Sequence, residues 1–183
     1  THIVVLGAGI GGMSAAYELR GTLGSGPDIT VVGEGDRFSF TPSNPWVAVG
    51  WRKPADVEMP VAAYLAKKKI AFEGAGAEKV EPDANRIVLR DGRTLDYDYL
   101  VIATGPRLAF DEIPGLGPDG GFTQSICTTP HASTAWEAYQ AFLQDPGPIV
   151  VGAAPGASCF GAAYEFVMIL DADLRKRKLR DKV

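Results

Sequence analysis

The sequence is poor in the residues that build metal sites and disulfide frameworks. It contains 2 cysteines and 2 histidines among 183 residues. Cys127 and Cys159 are too few and too far apart for a zinc site or a closely spaced redox pair, so we expect no metal site. Long apolar runs are also missing. No stretch of apolar residues is long enough to span a membrane. No basic leader with a cleavage site precedes the first strand, so we expect any membrane contact to involve residues outside this sequence.

An excess of positive charge is absent too. The formal net charge is −4, which disfavours a nucleic-acid partner. The basic residues that do cluster, at 175–178 with Arg180 and Lys182, follow a helical pattern. We interpret them as a solvated helix end, where cations are favoured by the negative pole of the helix.

The first residues predict a dinucleotide-binding turn. Residues 2–6 are a continuous apolar run, as in a buried parallel strand, and a helical pattern and a second strand over 28–32 follow. Between strand and helix, Gly7 allows a tight turn, Gly9 leaves room for a pyrophosphate, and Gly12 lets the helix lie close to the sheet. The free N–H groups of the helix N-terminus favour the phosphates.

An acidic residue is expected after the second strand, where it would bind a ribose of the dinucleotide. Residue 33 is glycine, and the first carboxylate there is Glu34. We choose Glu34 for the ribose hydroxyls, with Asp36 as a second candidate. A solvated loop acid is the alternative.

Two strand–turn–helix units organise the chain. The first continues with a proline-rich loop over 33–60, a helix over 61–69, a strand over 70–73, meander strands over 78–80 and 86–89, and a strand over 99–103. The second has a helix over 133–143, a strand over 149–151, a small-residue turn over 152–161 and a helix over 162–179.

These patterns predict an α/β fold. A Rossmann-type domain with a parallel sheet and a β-meander is expected over residues 1–115, and the start of a second Rossmann-like domain over 116–183. A lone strand and helix bury their apolar faces poorly, so we expect the chain to be part of a longer protein.

Several motifs resemble flavoproteins with two dinucleotide-binding domains. Residues 101–106 (VIATGP) are similar to the strand and ATG turn of that superfamily. The glutathione-reductase type has a close cysteine pair after the first unit, and residues 38–51 contain none. Residues 40–46 (FTPSNPW), 125–128 (SICT) and 156–161 (GASCFG) instead resemble the bacterial type of sulfide:quinone oxidoreductase.

The resemblance implies FAD as cofactor, with sulfide as electron donor and a membrane quinone as acceptor. Cys159 would be the flavin-side cysteine, joined through a disulfide or sulfur bridge to a third cysteine that is not in this sequence. Sulfide would attack the bridge, the released thiolate would pass two electrons to FAD, and sulfur would leave as polysulfide. Cys127 would help sulfur transfer. We expect Cys127 to lie just before a helix and Cys159 in the first turn of the last long helix, and a helix N-terminus favours the thiolate of both residues.

The resemblance also implies contacts to the flavin. Pro42, Ser43 and Thr104 would line the isoalloxazine side, and the turn at Gly105 would bring backbone close to the flavin. Ala77, with the glycine before it, would contact the adenine through the backbone.

Two further residues are candidates for proton transfer. His131 lies four residues after Cys127, and a histidine there could exchange protons with the thiol, although a capping or surface histidine is an alternative. Glu165 is expected to face inward at helical spacing from Cys159, where apolar surroundings would raise its pKa for acid–base work. An ordinary helix glutamate is the alternative.

The second glycine turn departs from the fingerprint. Aligned on the first, it reads Gly152, Ala154 and Ala157, and a methyl group at Ala154 would push a pyrophosphate away. We therefore expect no NAD(P)H site there, and expect electrons to come from a small sulfur donor.

Three alternatives remain open. The flavin subunit of flavocytochrome c sulfide dehydrogenase often carries a covalent link from cysteine to FAD in the first long loop, which has no cysteine here. A type II NADH:quinone oxidoreductase would need the second fingerprint. A non-catalytic flavin-binding module would have structural cysteines. For the enzyme, peripheral membrane association is expected, and a homo-oligomer is compatible with the sequence.

Overall fold

The computed structural model describes residues 1–157 and 159–183 of the chain. Its strands and helices, in chain order, are β1 (His2–Leu6), α1 (Ile10–Leu23), β2 (Asp28–Val32), β3 (Arg37–Ser39), α2 (Asn44–Ala48), α3 (Pro54–Val57), β4 (Glu58–Pro60), α4 (Val61–Ala66), β5 (Ala71–Glu73), β6 (Ala77–Glu81), β7 (Arg86–Leu89), β8 (Thr94–Asp96), β9 (Tyr99–Ile102), α5 (Thr129–Phe142) and α6 (Gly161–Lys176).

These elements form two compact units. Unit 1 comprises Thr1–Phe38 and Glu58–Leu108, and unit 2 comprises Ser39–Val57 and Ala109–Val183. The residues between β2 and α4 are thus divided between the units, because Ser39–Val57 belongs to unit 2 and the residues on either side belong to unit 1. The boundary expected between residues 115 and 116 concerns cofactor-binding domains, which compactness alone does not test, and it stays a prediction.

Unit 1 is built on a parallel sheet with the strand order β5-β2-β1-β9. The central strand β1 pairs with β2 and β9, so that Val4 lies between Thr30 and Leu100. Strand β2 pairs with β5 on its other side. The predicted α/β class with a parallel sheet is therefore confirmed.

Both faces of β1 are covered, which explains its continuous apolar sequence. Successive side chains of a strand point to opposite faces. Ile3 and Val5 belong to the cluster that contains Ala16 of α1 and Leu65 of α4. Val4 and its alternate neighbour Leu6 pack with the meander, in a cluster completed by Val32, Ile87 and Leu89.

The β-meander is confirmed as a small antiparallel sheet. Its strand order is β6-β7-β8, with Ile87 opposite both Val80 and Leu95. The turn between β7 and β8 contains Gly92 at a φ of +85°, a conformation that glycine adopts without steric cost.

Unit 2 is helical. Val47 and Ala48 of α2 pack with Ala132 and Ala135 of α5. A neighbouring cluster holds Val49, Tyr139, Ile169, Leu170 and Leu174, so the second half of α6 packs with α5 and with the residue after α2. No helix in the described part of the chain has the length and apolar character needed to cross a membrane.

The prediction of a loop over residues 33–60 is wrong, because β3, α2, α3 and β4 all lie within this range. The structure has α2 and α3 there, preceded by a 3₁₀ turn at Thr41–Ser43. Pro42, Pro45 and Pro54 lie at the first positions of these short helices. Proline has no N–H to lose at a helix start and its φ is preset, so prolines that resemble breakers begin helices here.

The predicted strand over residues 149–151 is not observed. These residues have no regular structure, and Val150 is 95% exposed. A strand needs a neighbour to accept its hydrogen bonds, and no strand of the described residues pairs with this segment. The helix that follows begins at Gly161, close to the predicted start.

Removal of the Leu65 side chain tests the helix-side core. Leu65 is fully buried, whereas its neighbour Tyr64 is 43% exposed. Leu65→Ala is expected to lower the free energy of unfolding by about 2–5 kcal/mol because it leaves a cavity. Tyr64→Ala, the control on the same helix, should change it by about 0.5 kcal/mol or less. Urea unfolding measures both, and equal losses would contradict this packing.

Candidate functional site

The glycine turn and the ATG turn lie against each other at the carboxyl ends of β1 and β9. The N–H of Gly7 donates to the carbonyl oxygen of Val32 at 2.7 Å, and that of Ala103 donates to Leu6 at 2.7 Å. Gly7 has a φ of +117°, and a Cβ there would lie 2.1 Å from the carbonyl oxygen of Ala103. Gly7 is therefore required both by its conformation and by the neighbouring strand.

The other two fingerprint glycines differ in what surrounds them. A Cβ on Gly12 would lie 1.8 Å from the carbonyl oxygen of Gly7, so Gly12 permits the close approach of α1. Gly9, the N-cap of α1, has no atom within 4 Å of its ideal Cβ position. The open space therefore lies beside the helix N-terminus, where N–H groups favour a phosphate.

Glu34 lies at the same edge of the sheet, directly beyond β2. Its backbone forms a bridge with Ala75, after β5. Its side chain is 72% exposed and forms an ion pair with Arg90. Carboxyl ends of parallel strands are where ligands of open α/β sheets bind. The geometry is compatible with the predicted ribose contact, which stays a prediction.

The other predicted contacts are divided between the units. In unit 1, Ala77 begins β6, and Gly105 has a φ of +72° beside the exposed Thr104. In unit 2, Pro42 is exposed and Ser43 is buried. Their contact with a flavin stays a prediction.

Next to Ser43 is a fully buried asparagine that the sequence analysis missed. Asn44 accepts a hydrogen bond at Oδ1 from the hydroxyl of Thr129, at 3.1 Å. Its Nδ2 is buried without a hydrogen-bond partner among the described residues. The bond attaches the start of α2 to the first residue of α5.

Cys127 lies where the sequence predicts, immediately before a helix. Thr128 is the N-cap of α5 and accepts a hydrogen bond at its hydroxyl from the N–H of His131, at 3.2 Å. The N–H of Cys127 donates to the hydroxyl of Ser125 at 3.2 Å. Cys127 is an exposed free thiol, accessible to a small reagent.

His131 is mostly buried at the start of α5. Its Nε2 is 3.5 Å from a carboxylate oxygen of Asp119, and its ring centroid is 5.6 Å from that of Phe110. Its Nδ1 is buried without a hydrogen-bond partner among the described residues. The backbone of His131 takes part in capping, while a proton-transfer role for its ring stays a prediction.

The surroundings of Cys159 and Glu165 differ from those predicted. Cys159 is an exposed free thiol that lies two residues before α6 and not within its first turn. Residue 158, which belongs to the same predicted motif, lies outside the described residues. Glu165 is exposed and does not face inward as predicted. The first half of α6 is uncovered in this chain, as Tyr164 and Met168 are 68% and 72% exposed, and the role of Glu165 stays a prediction.

A buried carboxylate that was not predicted from the sequence joins three segments of unit 2. Asp173 on α6 is 1% exposed. It accepts hydrogen bonds from Trp51 Nε1 at 2.8 Å, from the hydroxyl of Tyr139 at 2.9 Å and from Arg177 Nε at 2.5 Å. Three donors compensate for the lost hydration of the charge. The available signal was an acidic residue within the apolar stripe of α6.

An open groove of about 640 Å³ lies beside this carboxylate. None of the predicted site residues lines it. Its lining residues are Gly50, Trp51, Arg52, Asp173, Lys176 and Arg177.

The hydroxyl of Tyr139 gives this network a pH dependence. Burial first, and then the hydrogen bond to Asp173, raise the pKa of Tyr139. The neutral hydroxyl is thus favoured in the folded state. Its contribution to the free energy of unfolding is therefore complete below the ordinary tyrosine pKa of about 10, and it is lost as the pH rises beyond that value. Tyr139→Phe is therefore expected to lose less stability than the wild type between about pH 10 and pH 12.

Thermal unfolding followed by near-ultraviolet circular dichroism measures this difference. Near neutral pH the variant should be less stable by about 1–3 kcal/mol, because Asp173 loses a buried partner. Tyr164→Phe is the control, since Tyr164 is 68% exposed. Identical alkaline slopes for wild type and Tyr139→Phe would contradict the account.

Comparison with known proteins confirms the resemblance drawn from the motifs. Sulfide-quinone reductase of Aquifex aeolicus (strain VF5) is 45% identical over 184 residues, which cover 100% of this chain and 41% of that protein. The mitochondrial sulfide:quinone oxidoreductase of Dictyostelium discoideum is 29% identical over 195 residues, with 100% and 41% covered. The chain spans about two fifths of the length of these curated relatives.

A solved structure agrees with the sequence relatives. The X-ray structure of the sulfide:quinone oxidoreductase from Aquifex aeolicus matches with a TM-score of 0.92 at 44% identity, over 100% of this chain and 42% of that one. The family described as "Pyridine nucleotide-disulphide oxidoreductase" matches residues 1–165. The chain therefore belongs to the pyridine nucleotide-disulphide oxidoreductase family.

Proposed function

We propose that the full-length protein is an FAD-dependent oxidoreductase that oxidises sulfide and passes the electrons to a quinone. The observation that carries this proposal is the 45% identity to a sulfide-quinone reductase along the whole chain. It is supported by the open space at Gly9, beside the N-terminus of α1.

Family membership and the similarity to sulfide-quinone reductases imply a flavin, and the residues of unit 1 fit FAD. The pyrophosphate would lie at Gly9, where no Cβ excludes it. Gly7 and Gly12 would hold the turn and helix in place, and Glu34 would bind the ribose. Bound FAD accepts two electrons from one partner and returns them to another.

Sulfide is proposed as donor because the second turn is a poor nucleotide site. Ala154 and Ala157 stand where the fingerprint has glycine, and a methyl group at Ala154 would obstruct a pyrophosphate. A donor that needs no dinucleotide site is then favoured. Sulfide is such a donor, and it attacks a disulfide to form a persulfide on one cysteine and release the other as a thiolate.

The two cysteines are proposed to handle the sulfur. Cys159 and Cys127 are exposed free thiols, so sulfide can reach both. Cys159 is assigned the flavin-side role, in a bridge with a third cysteine outside this chain, and Cys127 the transfer of sulfur. His131 and Glu165 are assigned proton transfer. The quinone site and a peripheral membrane contact are proposed to lie outside this chain.

Substitution of the cysteines tests this assignment. Cys159→Ala in the full-length protein is expected to lower quinone-dependent sulfide consumption by several orders of magnitude, because it removes the bridge that sulfide attacks and the thiolate that passes electrons to FAD. Cys127→Ala should have a smaller effect. Met168→Ala is a control, since Met168 is exposed on α6. Flavin content should be the same in all of them, and full activity of Cys159→Ala would reject the redox role.

The glycine turn offers a second test, because two of its glycines have different surroundings. Gly9→Ala places a methyl group in open space, so the protein should fold normally and bind FAD more weakly. Gly12→Ala places one against the backbone of Gly7, so its melting temperature should fall as well. Calorimetry and flavin absorbance after dialysis measure both properties. Unchanged FAD retention in Gly9→Ala would place the pyrophosphate elsewhere.

A further inference from the structure

Arg90 is a charged residue at the carboxyl edge of the sheet that the proposed function does not use. It directly follows β7. Its backbone N–H donates to the carbonyl oxygen of Gly76 at 3.1 Å. Its side-chain Nη1 donates to Oε1 of Glu34. Arg90 is thus attached to this edge through both its backbone and its side chain.

Gly76 provides the surface on which this ion pair lies. It is buried and has a φ of +75°. A Cβ on Gly76 would lie 3.5 Å from Cδ of Arg90 and 3.8 Å from Cγ of Glu34. The stems of both charged side chains therefore lie close to the backbone that was predicted to contact the adenine.

The ion pair adds little to the stability of the fold by itself. The side chains of Arg90 and Glu34 are 52% and 72% exposed, and exposed pairs are screened by water. We expect the ion pair to affect the orientation of the Glu34 carboxylate instead. A carboxylate has two acceptor oxygens, so the bond to Oε1 leaves Oε2 available to a ligand. A planar guanidinium fixes the direction of that carboxylate.

We propose that Arg90 is a positioning residue for the adenosine half of FAD. It holds Glu34 so that Oε2 accepts hydrogen bonds from the ribose hydroxyls, and it removes the conformational freedom that Glu34 would otherwise lose on binding. The inference rests on the proposed FAD site. It places the effect of Arg90 in the affinity for FAD and not in the stability of the apoprotein.

Titration of the full-length apoprotein with FAD and with FMN tests this proposal, with quenching of flavin fluorescence as the signal. FMN has the isoalloxazine ring and one phosphate but no adenosine. Arg90→Ala is expected to weaken FAD binding up to about 10-fold, because Glu34 would then lose its conformational freedom only when FAD binds. FMN binding and the melting temperature of the apoprotein should not change. Arg90→Lys should recover part of the loss.

Two further comparisons make the test specific. Arg86→Ala is the matched control, because Arg86 begins the same strand and pairs with Asp96 at 2.7 Å. If Arg90 acts through Glu34, the double variant of Arg90→Ala and Glu34→Ala should lose no more FAD affinity than Glu34→Ala alone. A merely structural role would weaken FAD and FMN equally.

Additive losses, equal losses for the two flavins, or an unaffected Arg90→Ala variant would overturn the inference and leave the FAD site intact. A wild-type full-length protein that binds no flavin would instead overturn the proposed function.

Discussion

The close approach of α1 to the carboxyl end of β1 is the constraint on which the nucleotide-binding unit depends. It exists because Gly12 has no Cβ, as a methyl group there would overlap the carbonyl oxygen of Gly7. The pairing of β1 with β9 sets the turn after β9 beside the turn after β1, and Gly7 permits this because a methyl group there would overlap the carbonyl oxygen of Ala103. Gly9 differs, because the space at its Cβ position is open. Residues 7–12 therefore contain two glycines that permit close backbone packing, Gly7 and Gly12, and one glycine, Gly9, that leaves room for a phosphate.

Unit 2 depends on a different interaction, the buried carboxylate of Asp173. Three donors from the segment after α2, from α5 and from α6 meet at its oxygens. The second half of α6 is fixed by this network and by its apolar cluster. The first half of α6, nearest Cys159, is largely exposed in this chain. Cys159, to which the sulfur chemistry is assigned, therefore lies near the exposed end of α6, whereas the other end of this helix is fixed by buried contacts.

The parts of the fold that the sequence predicts well are those that depend on local spacing. The glycine turn, the apolar strand β1 and the meander follow from residues that are close in sequence. The prediction of a strand over residues 149–151 was wrong because a strand also requires a neighbouring strand with which to form hydrogen bonds. Glu165 was expected to be buried because helical spacing shows which residues share a face and does not show which face is covered.

Polar contacts between residues far apart in the chain could not be predicted from the sequence for a related reason. Trp51 is 122 residues from Asp173 in the chain, and Glu34 is 56 residues from Arg90. Glu34 and Arg90 each have the pattern of an ordinary surface residue, and the position of Asp173 within an apolar stripe does not identify its partners. Only the folded chain brings them together. The predicted roles of the cysteines and of the flavin contacts came from resemblance to a family, and they stay predictions.

The central claim is that electrons enter the flavin from sulfide and not from a nicotinamide. Anaerobic titration of the full-length protein with sulfide, and separately with NADH, tests it through the absorbance of the flavin. The account predicts that sulfide bleaches the flavin, that a quinone restores its colour, and that NADH has no effect. Bleaching by NADH alone would contradict it, since the turn with Ala154 would then still bind a dinucleotide.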